Sequence, residues 1–148
     1  MAVDDRITSA SPVPRRLHQV EIELDVPFHD VDILGVVWHG HYYKYLELGR
    51  TELMRQRGLD VPEIAACGFR QVVVESRCRH TYPLRYGERA RVSAWLSALT
   101  PRIMIHYRVR NVTAGRCSAR AQTTLVTTAP DGTLLMETPD VLLAKLRP

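Results

Sequence analysis

The segment of residues 28–45, FHDVDILGVVWHGHYYKY, concentrates side chains that can exchange protons. It holds two carboxylates, Asp30 and Asp32, and three histidines around an apolar run of five residues. An ionised group beside apolar surface is costly unless it is paired or used. The segment is therefore the first candidate for a functional site. The chemistry that its carboxylates offer is proton abstraction from water or direct nucleophilic attack.

Two regular elements flank this segment and must position it. Before it, residues 18–26 alternate apolar and mainly acidic side chains, the pattern of a half-buried strand, and Pro27 ends that strand. After it, apolar residues recur at three- and four-residue steps from about residue 41 to residue 57, which predicts a helix with Gly58 at its C-cap. Gly49 inside this helix costs about 1 kcal/mol against alanine, so we expect another chain segment to pack closely there.

The rest of the chain is predicted to consist mainly of strands. A short helical turn is expected over residues 61–68, and Asp131-Gly132 is a strong hairpin signal. The strands are predicted over residues 70–82, 88–99, 103–110, 116–128 and 133–137. Long strands with short connections imply an antiparallel sheet. The fold class is therefore α+β, with one long helix packed on a strongly curved sheet.

The order of residues in this segment resembles a known signature. The pattern is Asp30-Val31-Asp32, Gly35-Val36-Val37-Trp38-His39, then Tyr42, Tyr45, Glu47 and Arg50. It is similar to that of hotdog-fold acyl-CoA thioesterases of the 4-hydroxybenzoyl-CoA thioesterase type. The resemblance covers the preceding strand, the loop and the whole helix. It implies a hotdog fold, in which a curved antiparallel sheet wraps one long central helix.

The resemblance also implies roles for individual residues. Asp32 takes the position of the catalytic carboxylate, as general base or nucleophile. His39 matches the position at the helix N-terminus whose backbone N–H polarises the thioester carbonyl. The resemblance suggests Trp38, Tyr42, Tyr45 and Glu47 for substrate binding. Arg102, in the Thr100-Pro101-Arg102 turn, is a candidate for binding the phosphates of CoA, because guanidinium suits phosphate and similar proteins make such contacts from this turn. Relatives carry small residues or proline where this chain has Ile33-Leu34, so we expect a narrowed or redirected acyl pocket.

Thioester hydrolysis fits what these residue types can do. A thiolate is a good leaving group because the pKa of its conjugate acid is near that of cysteine, about 8.5. A lone carboxylate can therefore suffice as the base. The free N–H groups and the dipole at a helix N-terminus favour the developing oxyanion. We expect Asp32 and the start of the helix at His39 to face one small volume.

Structural roles are the alternatives for the same residues. Asp32 is also typical of an aspartate that satisfies backbone groups in a turn. For Asp30 we expect a structural role, with its side chain bonded to the loop backbone. The imidazole of His39 is explained equally well by a structural hydrogen bond. A metal site built from the local histidines and aspartates does not have a standard zinc spacing, so no metal and no cofactor is predicted.

Two other functions compete with hydrolysis. A hotdog dehydratase or hydratase would pair His39 with Glu47 or Glu52, but this scheme leaves the Asp-x-Asp loop unexplained. A non-catalytic acyl-binding module would keep the pocket, and the sequence argues against it only through Asp32. The predicted substrate is an acyl-CoA or an acyl-carrier-protein thioester.

Composition sets the remaining expectations. The 148 residues are 45% hydrophobic and carry a net charge of +4, which fits one globular domain over residues 17–148 after a flexible tail over residues 1–16. The arginines are scattered, so nucleic acid is not an expected partner. No membrane span or signal peptide is predicted, because no stretch of the sequence is long and apolar enough for either. Three cysteines without metal-type spacing indicate a cytoplasmic protein. The fold analogy and an open sheet edge imply a homodimer or homotetramer.

Overall fold

A computed structural model describes residues 16–148. The elements in chain order are β1 (Leu17–Asp25), α1 (Tyr42–Gln56), α2 (Val61–Ala66), β2 (Arg70–His80), β3 (Arg89–Ala98), β4 (Ile103–Asn111), β5 (Arg116–Thr128) and α3 (Asp140–Leu146), with single 3₁₀ turns at Phe28–Asp30 and His39–His41. The strands form one antiparallel sheet in the order β1-β3-β4-β5-β2. This confirms the α+β class. Of the predicted tail, only Arg16 lies within the described residues.

Helix α1 packs on one face of the sheet, against β1, β3 and β4. The strands bury alternate side chains toward it, as Ile103, Ile105 and Tyr107 do on β4. A Cβ atom at Gly49 would lie 3.0 Å from Cγ1 of Val92 on β3. The close approach predicted at Gly49 is therefore confirmed, and a glycine there lets α1 lie directly on the sheet.

Strand β2 is an outer edge of the sheet and is exposed along most of its length. Its only partner among the described strands is β5. The consecutive side chains Val72, Val73 and Val74 are 44%, 40% and 51% exposed. An edge strand that carries exposed valines can pair with another chain.

The predicted strand over residues 133–137 is wrong. The hairpin turn at Asp131-Gly132 forms, with Gly132 at φ +91°, but only an isolated bridge joins Leu134 to Thr128. The reason is that β5 is already paired with β2 on one side and, as far as Leu125, with β4 on the other. Only the last few residues of β5 remain free for another strand.

Helix α3 was not predicted. Its seven residues are too few to produce a clear 3.6-residue period, yet Leu142, Leu143 and Leu146 are buried in or against the core. The ring of His18 lies 2.7 Å from the carbonyl oxygen of Leu146 and joins the start of β1 to the end of α3. No helix within residues 16–148 has the length and hydropathy that crossing a membrane requires.

Candidate active site

Asp32 begins a tight turn between two short bridged segments. Val31 pairs with Val37, and the Asp32 N–H donates to the carbonyl of Val36 at 2.9 Å. The Gly35 N–H donates to the carbonyl of Asp32 at 3.0 Å, and Gly35 has φ +79°. This geometry explains the glycine of the motif, since L side chains rarely adopt that φ.

The Asp32 carboxylate uses one oxygen to hold this turn. Its Oδ1 accepts the N–H of Leu34 at 2.8 Å. Within residues 16–148, no hydrogen-bond donor reaches Oδ2. The turn role expected for aspartate is therefore present, and the second oxygen stays available for chemistry.

Asp32 and His39 line the same open cleft, which has a volume of about 350 Å³. The full lining comprises Asp32, Leu34, Val36, Val37, His39, Tyr42, His80, Thr81, Tyr82 and Pro83. The cleft thus brings together the hairpin of residues 31–37, which carries Asp32, the entrance of α1 and the end of β2. Of the predicted substrate-binding residues, only Tyr42 is among these.

The entrance to α1 has backbone amides without protein partners. The 3₁₀ turn at His39–His41 leads into the helix, and the first acceptor-bound amide of that turn is His41 N–H, which donates to the Trp38 carbonyl at 2.9 Å. Among the described residues, the N–H groups of His39 and Gly40 have no hydrogen-bond acceptor. Such amides are suited to binding an oxyanion.

Trp38 packs over this entrance. Its indole covers Gly40 so closely that a Cβ atom there would lie 2.2 Å from the ring. The ring is tilted against His39 and meets His41 edge to face, with centroid distances of 5.1 and 5.2 Å. Trp38 is still 46% exposed, and it does not line the Asp32 cleft.

Asp30 is buried behind the cleft and is held by side chains of α1. It is 2% exposed, and its carboxylate accepts hydrogen bonds from Lys44 at 2.5 Å and Tyr45 at 2.6 Å. Burial of the carboxyl group opposes ionisation, but the bonds from Lys44 and Tyr45 and the Lys44 charge outweigh it. The pKa of Asp30 therefore lies below its ordinary value. The structural role of Asp30 agrees with expectation, but the predicted side-chain bonds to loop backbone are wrong.

His80 is a cleft residue that the sequence reasoning missed. Its ring meets Tyr42 edge to face at a centroid distance of 4.5 Å and lies 6.4 Å from the ring of His39. Burial and the neighbouring His39 lower the pKa of His80, and burial raises the pKa of Tyr42 to about 12. The available signal was alternation along β2, which puts His80 on the same face as Cys78, a residue packed against the core.

The other predicted binding residues lie elsewhere in the single chain. Tyr45 and Glu47 line a different opening of about 480 Å³, beside Lys44, Leu48 and Thr51. Arg102 is exposed in the connection between β3 and β4. These residues do not line the cleft that contains Asp32.

Ile33 and Leu34, where this chain departs from the family pattern, lie at the tip of the hairpin that the Val31–Val37 pairing closes. Ile33 is fully exposed, and Leu34 is 80% exposed. Leu34 lines the cleft, whereas Ile33 does not. Of these two residues, only Leu34 borders the cleft, and the narrowing of the acyl pocket stays a prediction.

Comparison with known proteins agrees with this architecture. Residues 26–146 match the family described as the Thioesterase-like superfamily. This match covers most of the chain and begins just after β1. The chain therefore belongs to the Thioesterase-like superfamily, and the predicted family is confirmed.

Individual relatives share the fold and part of the sequence. A Bacillus subtilis protein named "Putative acyl-CoA thioesterase YneP" is 31% identical over 80 residues, which are 54% of this chain and 58% of that protein. The chain spans about half the length of the curated relatives it matches. The crystal structure of the hypothetical protein TT1821 from Thermus thermophilus has 28% identity and a TM-score of 0.76, covering 85% of this chain and 95% of that one.

A third comparison bears on the fold alone. A mutant 4-hydroxybenzoyl-CoA thioesterase, crystallised with 4-hydroxybenzoyl-CoA, aligns with a TM-score of 0.76 at 17% identity. The alignment covers 87% of this chain and 99% of that one. The predicted hotdog fold is confirmed.

Proposed function

We propose that this protein hydrolyses an acyl thioester, carried on CoA or on an acyl carrier protein, to a free acid and a thiol. The observation that carries the proposal is the shared cleft of Asp32 and His39. Within residues 16–148, this opening is shared by Asp32, whose carboxylate has one oxygen without a donor, and by His39, whose backbone N–H has no acceptor. Membership of the superfamily supports the same activity.

The reaction needs only groups present at this cleft. Asp32 removes a proton from water while the water oxygen bonds to the carbonyl carbon. The carbonyl electron pair moves to oxygen, and the backbone amide of His39 at the helix entrance stabilises the resulting charge. Collapse of the intermediate breaks the carbon–sulfur bond, and the thiolate leaves with the bonding electrons. Direct attack by Asp32, with a later hydrolysis of the anhydride, gives the same products.

The buried network at Asp30 positions these groups. The Asp30 carbonyl accepts the N–H of Trp38 at 3.0 Å, and its side chain is fixed to α1 through Lys44 and Tyr45. The hairpin that carries Asp32 is therefore tied to the helix whose entrance carries His39. A shift of about 1 Å between such groups can cost a hundredfold in rate.

We place the site in a homodimer or homotetramer, with β2 as the pairing edge. The support is the exposed run Val72–Val74 on an edge strand. In one chain, Tyr45, Glu47 and Arg102 do not line the Asp32 cleft. Pairing of subunits would allow these residues of a second copy to contact a substrate bound in that cleft. The three cysteines of the described chain are unbonded, which favours a reducing compartment such as the cytoplasm.

Thiol release from a panel of acyl-CoA thioesters, monitored with a chromogenic thiol reagent, tests the activity. Crotonyl-CoA serves as the discriminating substrate, because a hydratase would consume its double bond without releasing thiol. We expect release of CoA and no hydration, since Glu47 lines a different opening from His39. Hydration without thiol release would reject hydrolysis.

A further inference from the structure

Three arginines stand side by side on the face of the sheet that is turned away from α1. Arg79 on β2 pairs in register with Arg120 on β5, and Arg120 pairs with Arg108 on β4. Their chain neighbours Tyr107 and Ala119 belong to the core, so the arginines project to the opposite, outer face. Adjacent strands lie about 4.8 Å apart, so the row spans roughly 10 Å. We call Arg79, Arg108 and Arg120 the arginine row.

The positive charge of this row is not balanced by neighbouring carboxylates. Within residues 16–148, none of its three guanidinium groups makes a salt bridge. Glu75 pairs with Arg77, and Glu23 pairs with Arg89 and Arg91. Glu21 is separated from Arg108 by Ser93 on the strand between them, and its carboxylate accepts a hydrogen bond from the Ser93 hydroxyl at 3.3 Å. Like charges directly opposite each other on neighbouring strands destabilise a sheet. An anion that binds the row would remove that repulsion.

Two adjoining depressions accompany the row. The first, about 210 Å³, is lined by Arg16, Trp95, His106, Arg108 and Arg120 among others. The second, about 300 Å³, contains Arg77, Arg79 and Gln122 and shares His106 and Arg120 with the first. They form one continuous basic trough across four strands. The Asp32 cleft shares none of these lining residues.

The floor of the trough is aromatic. The rings of Trp95 and His106 are stacked, with a centroid distance of 6.0 Å and an interplanar angle of 12°. The Arg16 guanidinium lies 4.0 Å from the centroid of the Trp95 ring. The Arg16 guanidinium adds a further positive charge to the trough. The Trp95 indole is an intrinsic fluorophore that would lie beside a bound ligand.

We propose that this trough binds a ligand bearing several phosphate groups, such as a nucleoside polyphosphate. Guanidinium groups match phosphate oxygens in geometry and stay charged at all relevant pH values. A row of three over roughly 10 Å suits a chain of linked phosphates better than a single small anion. The phosphates of a free nucleotide and those of a CoA molecule offer the same chemistry.

A second copy of this chain is a poorer occupant. A two-fold contact centred on Arg120 would bring six unbalanced guanidinium groups together, because such an interface presents the same patch from both subunits. Like-charge contact of this kind opposes association. The trough therefore favours an anion over the sheet face of another subunit.

Trp95 fluorescence tests the proposal without any assay of hydrolysis. The chain has only two tryptophans, so a Trp38→Phe background makes Trp95 the sole reporter. Titrations would use inorganic triphosphate, ATP and CoA at 50 mM salt. We expect saturable binding that weakens at least tenfold in R108Q/R120Q and again at 300 mM salt. The matched control R70Q/R147Q removes the same charge from exposed sites and should bind as the parent does.

The melting temperature shows whether weaker binding by R108Q/R120Q results from a loss of folding. Removing like charges should leave the melting temperature of ligand-free R108Q/R120Q equal to or above that of the parent at low salt. Equal binding by both double variants, or no saturable signal with any probe, would overturn the proposal. If CoA binds, a second comparison decides whether the trough holds the nucleotide of the substrate or a separate nucleotide. It sets the KM for an acyl-CoA against the KM for the matching acyl-pantetheine, which lacks the nucleotide. A rise in R108Q/R120Q for the acyl-CoA alone assigns the trough to the substrate's nucleotide, and no rise assigns it to a separate nucleotide.

Discussion

The hydroxyl of Tyr45 donates a hydrogen bond of 2.6 Å to the buried carboxylate of Asp30, fifteen residues earlier in the chain. The bond joins the loop before the hairpin to the second turn of α1. Burial and the neighbouring Asp30 carboxylate raise the pKa of Tyr45, so its phenol remains a donor at every working pH. The hairpin that carries Asp32 is thus anchored to the helix by a hydrogen bond whose donor stays protonated.

Removing that hydroxyl should destabilise the protein. Tyr45→Phe keeps the buried ring but leaves the Asp30 carboxylate with one donor fewer. A hydrogen bond to a charged group contributes about 1.5–3 kcal/mol, and we expect a loss in this range in the free energy of unfolding from urea titration. Tyr43→Phe on the same helix is the matched control, because Tyr43 is 41% exposed. Equal stability of the two variants would contradict the anchoring role.

The Asp30 carboxylate should also give stability a specific pH dependence. Its pKa is lowered in the folded protein, so its stabilising contribution is complete above the unfolded-state value of about 3.9. That contribution is lost as pH falls through the folded pKa. We expect the free energy of unfolding to fall more steeply below about pH 5 in the parent than in Asp30→Asn. The control Asp25→Asn, at a carboxylate that is 75% exposed, should keep the parental slope.

The sequence was sufficient to predict the elements around the site because each has a local signal. Alternation defined β1, the three- and four-residue period defined α1, and the resemblance placed Asp32 in the loop between them. The contact between Asp30 and Tyr45 has no such signal, because it depends on how the loop folds back on the helix. For the same reason, the sequence did not separate Tyr45 from the cleft that Asp32 lines.

Pairing across the sheet was equally hidden from sequence reasoning. Alternation along β2 puts His80 on the core face, but its place beside Tyr42 depends on the path of β2 along the edge of the sheet. The strand predicted over residues 133–137 does not form, because β5 already has partners on both sides for most of its length. Helix α3 was missed because its stability comes from burying three leucines and not from a long periodic pattern.

Neutralising Asp32 should abolish most of the activity while preserving the fold. In Asp32→Asn, the side-chain carbonyl still accepts the Leu34 N–H, so the turn is kept. The loss of the base should lower kcat at least roughly a hundredfold. The measurement is thiol release from the best acyl-CoA of the panel, with the melting temperature recorded in parallel. Turnover at the parental rate would remove Asp32 from the mechanism.

Asp32→Ala provides the comparison that separates the two roles of this side chain. Alanine removes the base and also the hydrogen bond that holds the turn. We expect the same low kcat as in Asp32→Asn, together with an additional loss of about 1 kcal/mol in the free energy of unfolding. If the two variants were equally stable, the turn bond would contribute nothing to the folded state.

A charge on the open edge should separate the subunits. Val73→Lys puts an ammonium group on β2, where edge-to-edge pairing would bury it or bring it against its symmetry mate. We expect light scattering to show a smaller assembly for this variant than for the parent at micromolar concentration. Val141→Lys is the matched control, because Val141 is 45% exposed on α3, away from β2. A parent that is already monomeric, or a Val73→Lys variant that keeps the parental mass, would rule out β2 as the pairing edge. A loss of activity that accompanies the smaller mass would indicate that residues of a second subunit complete the site.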